Sequence, residues 1–184
     1  MLEKKCKLTL DYHEDKIQSV KWNLAEENIL ASGGLQGNIH IRAVDNPKTG
    51  IQTSVPSPIE SLQWNPFSHN EFGLCTEDGY FYSFDARSIG KPVFEGKVHS
   101  GASSLSYSPG VQGLLATAGK DKMVKIWDAS NMQMVAERDA KVDELFCLEF
   151  YKDLPFVLAT GGMGGELAIW DTEENENVRS KWVS

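Results

Sequence analysis

The sequence predicts an all-β chain built from four repeats of one small antiparallel sheet. Two landmarks that keep the same step predict it, together with the strand-like runs between them. An aromatic closes an alternating run at Ser19-Val20-Lys21-Trp22, Ser61-Leu62-Gln63-Trp64, Ser104-Leu105-Ser106-Tyr107 and Cys147-Leu148-Glu149-Phe150, at steps of 42, 43 and 43 residues. An aromatic-Asp pair recurs at Phe84-Asp85, Trp127-Asp128 and Trp170-Asp171, 43 residues apart, and decays to Arg42-Ala43 in the first unit. Self-similarity at a step of about 20–50 residues marks a stacked repeat.

In chain order, each unit opens with the aromatic-ended run as its first strand. The second strand is a short apolar run: Ile29-Leu30-Ala31-Ser32, Phe72-Gly73-Leu74-Cys75, Leu114-Leu115-Ala116-Thr117 and Val157-Leu158-Ala159-Thr160. A polar turn follows, glycine-containing in most units, and then a third strand that ends in the aromatic-Asp pair. Met123-Val124-Lys125-Ile126-Trp127 and Glu166-Leu167-Ala168-Ile169-Trp170 alternate with period two. These runs are too short for stable helices and rich in β-branched and aromatic residues. A weaker fourth strand is expected at Pro92 to Phe94 in the second unit, Met132 to Glu137 in the third and Val178 to Val183 in the last. The units fall at residues 11–53, 54–96, 97–139 and 140–184, with residues 1–10, chiefly Lys5 to Leu10, a strand of a preceding or closing sheet.

Composition agrees with a globular chain: 184 residues, 41% hydrophobic and 24% charged. A run of about 18 apolar residues, as a membrane helix needs, does not occur. The start Met1-Leu2-Glu3-Lys4-Lys5 lacks the apolar core of a signal peptide, so a cytosolic or nuclear address is expected. The formal charge of −8 opposes nonspecific binding to phosphate backbones. From Ser130 onward there are 5 basic against 11 acidic side chains, so the acidity is concentrated at that end. Cys6, Cys75 and Cys147 form no Cys-x-x-Cys pair and read as reduced, buried thiols.

The period and the terminal Trp-Asp resemble WD40 repeats, whose four-stranded sheets are the blades of a β-propeller. In the third unit His99, Thr117, Asp121 and Trp127 stand where that family links the loop before a blade to its strands, a structural tetrad with no catalytic role. The first unit keeps His13 and Ser32 but has Gln36 and Arg42 at the other two places. The second keeps Asp78 but has Phe84, and the fourth has Gly164 in place of the aspartate. The first blade is therefore expected to be less tightly fixed. Ile59 to Ser68, Glu77-Asp78-Gly79-Tyr80, Phe84 to Ser88, Lys120 to Asp128, Leu145-Phe146-Cys147 and Asp153-Leu154-Pro155-Phe156 resemble the C-terminal half of the periodic tryptophan protein 1 family. That resemblance implies a seven-bladed propeller acting as a nucleolar scaffold in large-subunit ribosome assembly and rRNA processing, with pre-ribosomal particle components as partners. Against seven blades, these four units read as a partial propeller, either a fragment, a divergent gene model or a short member. Its open blade edges would invite self-association unless covered.

The remaining motifs divide between chemistry and architecture. Gly161-Gly162-Met163-Gly164-Gly165 suggests a phosphate cradle, but it leads into a strand and has no lysine, so a hairpin turn is expected. The same holds for Gly33-Gly34-Leu35-Gln36-Gly37. His13, His40, His69 and His99 show no metal-ligand spacing. The carboxylates Asp139, Asp143, Glu144, Glu173, Glu174 and Glu176 are expected to stay solvated. No nucleophile, base and orienter converge, so no catalytic residue, cofactor or metal is expected. Phe84-Asp85-Ala86-Arg87 either caps a turn, with Arg87 paired locally, or resembles the box by which some WD40 proteins dock onto a ubiquitin-ligase adaptor. A substrate-receptor or chromatin-associated adaptor is the alternative to ribosome assembly. If the chain touches RNA, Arg87, Lys91, Lys97, Lys120, Lys122 and Lys125 are the basic candidates, with Tyr80, Tyr82 or Tyr107 stacking. Partner contacts are expected at Arg87 and on the turns after each second strand, at Leu35, Glu77, Lys120 and Met163.

Overall fold

In the computed structural model, which describes residues 8–183, alternation is converted into ladders unit by unit. Strands β1 (Ile17–Trp22), β2 (Ile29–Gly34), β3 (Asn38–Ala43) and β4 (Asn46–Ser54) pair in sequential antiparallel order. So do β5 (Ile59–Trp64), β6 (Glu71–Thr76), β7 (Tyr80–Asp85) and β8 (Phe94–Lys97), and then β9 (Ala102–Tyr107), β10 (Leu114–Gly119), β11 (Met123–Asp128) and β12 (Gln133–Asp139). The last sheet is β13 (Leu145–Tyr151), β14 (Leu154–Gly162) and β15 (Leu167–Asp171). Each first-to-second ladder slips near the start of the first strand, as between Ile17 and Ser19, Ile59 and Ser61, and Leu145 and Cys147. A bulge of this kind increases local twist. Such small sheets, each antiparallel in chain order, are the blades of a β-propeller architecture.

The two middle blades bury both faces against their neighbours, and the first and fourth bury one. Ala31, Ile39 and Ile41 of the first pack on Leu62, Phe72 and Leu74 of the second. The opposite face of the second, with Cys75 and Phe81, meets Leu105, Leu115 and Trp127 of the third. The third in turn places Ala116, Val124 and Ile126 against Leu148, Leu158 and Trp170. First strands of adjacent blades lie side by side, and side chains tie them together. Ser19 Oγ accepts from the Leu62 amide at 3.1 Å, Gln63 Oε1 from the Tyr107 amide at 2.7 Å, and Ser106 Oγ from the Phe150 amide at 3.1 Å. These acceptors satisfy donors on a strand edge that no neighbouring ladder reaches.

The fourth blade departs from the expected four strands. Val178 to Trp182 lies in a helix, α1 (Glu176–Trp182), instead of a strand, and Val183 caps its C-terminal end. Asn175 caps it by accepting from the amides of Asn177 and Val178, Glu176 lies in the first turn, and Arg179 and Lys181 lie in the last. Cap and charges all favour helix. The helix packs on the third blade: Val178 is fully buried, Lys181 Nζ pairs with Asp128 at 2.6 Å, and Trp182 Nε1 donates to the Gln112 carbonyl at 3.1 Å. The fourth strand of the second blade starts at Phe94, not at Pro92, which has no N–H to offer a ladder. Of the expected strand Lys5 to Leu10, residues up to Lys7 lie outside the described residues, and Leu8 to Leu10 form no strand. Cys75 is buried as expected, Cys147 is exposed because it faces outward from the last blade, and Cys6 lies outside the described residues.

Gly79 turns the chain between β6 and β7 at φ +92, and a Cβ there would collide with the His99 carbonyl. Gly79→Ala is expected to lower stability by about 2 kcal/mol or more, from strain and clash together. Gly90→Ala, where a Cβ meets nothing within 4 Å, should stay within about 0.5 kcal/mol. Urea unfolding of the two variants checks this.

Candidate functional site

The turn after each second strand is anchored in the same way in all four blades. The amides of Leu35, Glu77, Lys120 and Met163 donate to the carbonyls of Lys16, Pro58, Gly101 and Glu144, at 3.0, 2.9, 2.8 and 2.9 Å. Each carbonyl lies just before the first strand of its own blade, so the four expected contact residues occupy one equivalent place on one rim. Their side chains share no chemistry. Met163 is 60% exposed and Glu77 is exposed, while Lys120 reaches Glu77 of the neighbouring blade at 3.4 Å. Lys122 likewise reaches Asp143 at 2.8 Å, which raises the lysine pKa and lowers that of the carboxyl. Exposed pairs of this kind are screened by solvent and contribute little to stability.

Beneath the rim, the structure brings His99, Thr117, Asp121 and Trp127 together. Trp127 Nε1 donates to Thr117 Oγ1 at 2.8 Å, Thr117 lies 2.8 Å from His99 Nε2, and His99 Nδ1 lies 2.8 Å from Asp121. A single direction of donation satisfies the chain: indole to hydroxyl, hydroxyl to Nε2, and Nδ1–H to carboxylate. His99 is 3% exposed, and its burial lowers its pKa despite the nearby Asp121. A neutral imidazole fits this chain, accepting through Nε2 and donating through Nδ1.

The other blades meet the same demand differently. In the first, His13 Nε2 keeps its bond to Ser32 Oγ at 2.7 Å, while Gln36 is exposed. Arg42 stands over the Tyr12 ring at 5.3 Å and reaches His40 Nδ1 at 3.2 Å, and the His13 and His40 rings are 4.4 Å apart. Burial, then the charges of His13 and Arg42, drives His40 down to about 4, and burial also lowers His13. Sequence reasoning missed this cluster, although Tyr12 beside His13 was its signal. In the second blade Asp78 accepts from Thr76 Oγ1 at 2.6 Å, and Phe84 stacks on Phe72 at 5.5 Å. In the fourth, Thr160 Oγ1 donates to the Cys147 carbonyl, and Arg138 lies over Trp170.

Arg87 is held by Asp85 through its amide, Nε and Nη2, with Nη2 at 2.6 Å. These bonds pull the Asp85 carboxyl down to about 2. Lys125 donates inward to the Val98 carbonyl at 2.7 Å. Lys97 lies over the Tyr80 ring. Tyr82 and Tyr107 are 4% and 6% exposed, so neither offers a face to a base, because each fills the contact between blades. Gly161 to Gly165 makes the hairpin into β15. Among the described residues no group of three or more His, Cys, Asp or Glu could hold a metal.

Residues 90–128 match the WD domain, G-beta repeat model. The chain is 36% identical over 135 residues to an uncharacterized WD repeat-containing protein of Schizosaccharomyces pombe, covering 71% of this chain and 26% of the relative. It is 26% identical over 175 residues to the histone acetyltransferase type B subunit 2 of Debaryomyces hansenii (86% and 42% covered). It is 24% identical over 154 residues to the periodic tryptophan protein 1 homolog of Drosophila melanogaster (80% and 34% covered). The chain thus spans between about a quarter and two fifths of the length of these relatives.

Thr117→Val leaves the Trp127 indole and the His99 ring without their shared partner, and is expected to cost about 1–3 kcal/mol in urea unfolding. Histidines whose folded pKa lies below the ordinary value of 6.5 stabilise fully only above that value. The unfolded chain takes up protons first, so stability should fall as the pH drops from about 6.5 toward about 4. His40→Gln should flatten part of that decline in unfolding midpoints measured between pH 7.5 and 4.

Proposed function

We propose that this array of WD40 blades is a non-enzymatic platform that assembles proteins, and that it does so in pre-ribosomal particles of the large subunit. The observation that carries the platform reading is the equivalent anchoring of Leu35, Glu77, Lys120 and Met163. Four unlike side chains stand in one geometric place on a rigid rim, where a partner can be recognised by the combination. The finer reading rests on the resemblance to the periodic tryptophan protein 1 family and on the Drosophila relative of that name. Under it, the protein works in the nucleus and nucleolus, and its contacts are mainly to proteins. Direct RNA contact would fall to Lys91, Lys97 and the rim lysines Lys120 and Lys122, with Tyr80 the partly exposed one of the three tyrosines expected to stack.

A chromatin-associated adaptor is the second reading, favoured by the similarity to a histone acetyltransferase subunit over 86% of the chain. The ubiquitin-ligase adaptor reading needs Arg87 to leave the Asp85 carboxylate that holds it three ways.

Sedimentation of tagged protein from cell extract separates these readings. Comigration with large-subunit precursors is expected, and the double change Lys120→Glu with Met163→Glu should reduce it about tenfold or more with the unfolding midpoint unchanged. Recovery with histones instead would favour the second reading. Recovery with a ligase adaptor, lost in Arg87→Ala, would sink the assembly role.

A further inference from the structure

The seam between the two middle blades carries polar side chains that the packing leaves unmatched. Glu60 sits at the bulge of β5, between Ile59 and Ser61, and Ser103 holds the equivalent place in β9, 43 residues on. The strands β5 and β9 lie side by side, so both positions open on one mouth. Glu77 stands there on the turn after β6, its amide bound to the Pro58 carbonyl at 2.9 Å, and Lys120 on the turn after β10, its amide bound to the Gly101 carbonyl at 2.8 Å. The Lys120 ammonium reaches Glu77 across the seam at 3.4 Å. A Cβ at Gly101 would lie 3.0 Å from the Glu77 carbonyl oxygen and 3.2 Å from Lys120 Cδ, which shows how closely the two turns approach.

Charge and hydrogen bonding are both incomplete there. Glu60 and Glu77 share the single ammonium of Lys120, so one negative charge is left over. Glu60 is partly buried, and among the described residues it makes no hydrogen bond or ion pair. Burial raises its pKa, the charge of Lys120 lowers it, and that of Glu77 raises it again. Ser103 is 7% exposed, and its Oγ is buried without a partner among the described residues. The bulge keeps Ser103 on the side of Ala102 and Leu105, which face the second blade, so its hydroxyl looks into the seam. A buried hydroxyl and a partly buried carboxylate each carry a desolvation cost that a bound donor removes.

We propose that this seam receives an arginine side chain of a partner protein, a step that rests on the platform reading of the rim and names the chemistry of one contact. A guanidinium presents several donors in a flat fork, enough to engage Glu60, Glu77 and Ser103 Oγ together, and it sheds water more readily than an ammonium. A lysine brings the same charge as a single point and matches the group less fully. The two carboxylates repel phosphate, which makes nucleic acid a poor occupant. A metal ion is a poor one as well, since among the described residues no three His, Cys, Asp or Glu converge. Both walls belong to blades that are packed on each side, so the seam owes nothing to the exposed faces at either end of the array.

Nuclear magnetic resonance of the isotope-labelled chain, titrated with a capped tripeptide bearing one central arginine, tests it. Saturable shifts are expected at the amides of Glu60, Glu77, Ser103 and Lys120, and peptides with citrulline or lysine in that place should produce them more weakly. Glu60→Gln should weaken binding about tenfold or more. Ser103→Ala should weaken it about threefold and leave the unfolding midpoint in place, because the hydroxyl has no partner to lose. No saturable shift, equal binding of the citrulline or lysine peptide, or indifference to Glu60→Gln overturns the proposal, even where comigration with large-subunit precursors holds. Loss of that comigration with arginine binding intact counts against the assembly role alone.

Discussion

A blade apolar on both faces cannot stand alone, and the rest of the structure depends on that constraint. The second blade shows it most fully. Phe72 and Leu74 on one face belong to the core shared with the first blade, while Cys75 and Phe81 on the other belong to the core shared with the third. A lone sheet of about 40 residues would leave one such set in water, and its own burial could not offset the entropy of ordering it. Stability therefore resides between blades, as nearest-neighbour terms along the array. The side-chain acceptors Ser19, Gln63 and Ser106 set the register of that packing by reaching across to the next first strand.

Because packing carries most of the stability, the polar staple within a blade is free to vary. Only the third blade completes the set of His99, Thr117, Asp121 and Trp127. The second replaces its end with stacked Phe72 and Phe84, and the first builds a cluster of His13, His40, Tyr12 and Arg42. The second and third blades obey one rule, that a buried donor or acceptor finds a partner or an apolar ring takes its place, whereas the first leaves the buried Arg42 Nε without a partner among the described residues. The first solution differs in being sensitive to protons, since it relies on neutral imidazoles.

Strand identity was legible in the sequence because alternation and the 43-residue step are local signals repeated four times. What escaped was decided between units. Val178 to Val183 looked like a strand by its register in the repeat, yet Asn175, Glu176, Arg179 and Lys181 are the cap and charge pattern of a helix, and the third blade gives Val178 a buried seat. Tyr82 and Tyr107 looked like exposed rings because a strand's two faces cannot be told apart until a neighbour covers one. The candidate rim residues were legible as a repeated turn, but their shared backbone bond was not, since it involves carbonyls of unlike residues. Cys147 followed the reverse course, expected inside and found on the face that the array leaves outward.

That shared bond is made by the amide and is blind to the side chain. Leucine, glutamate, lysine and methionine all make it equally, and proline alone is barred for want of an N–H. The rim can therefore be rewritten one blade at a time without the scaffold registering the change. Architecture and specificity are carried as separate records by the same four residues, the first in the main chain and the second in whatever hangs from it.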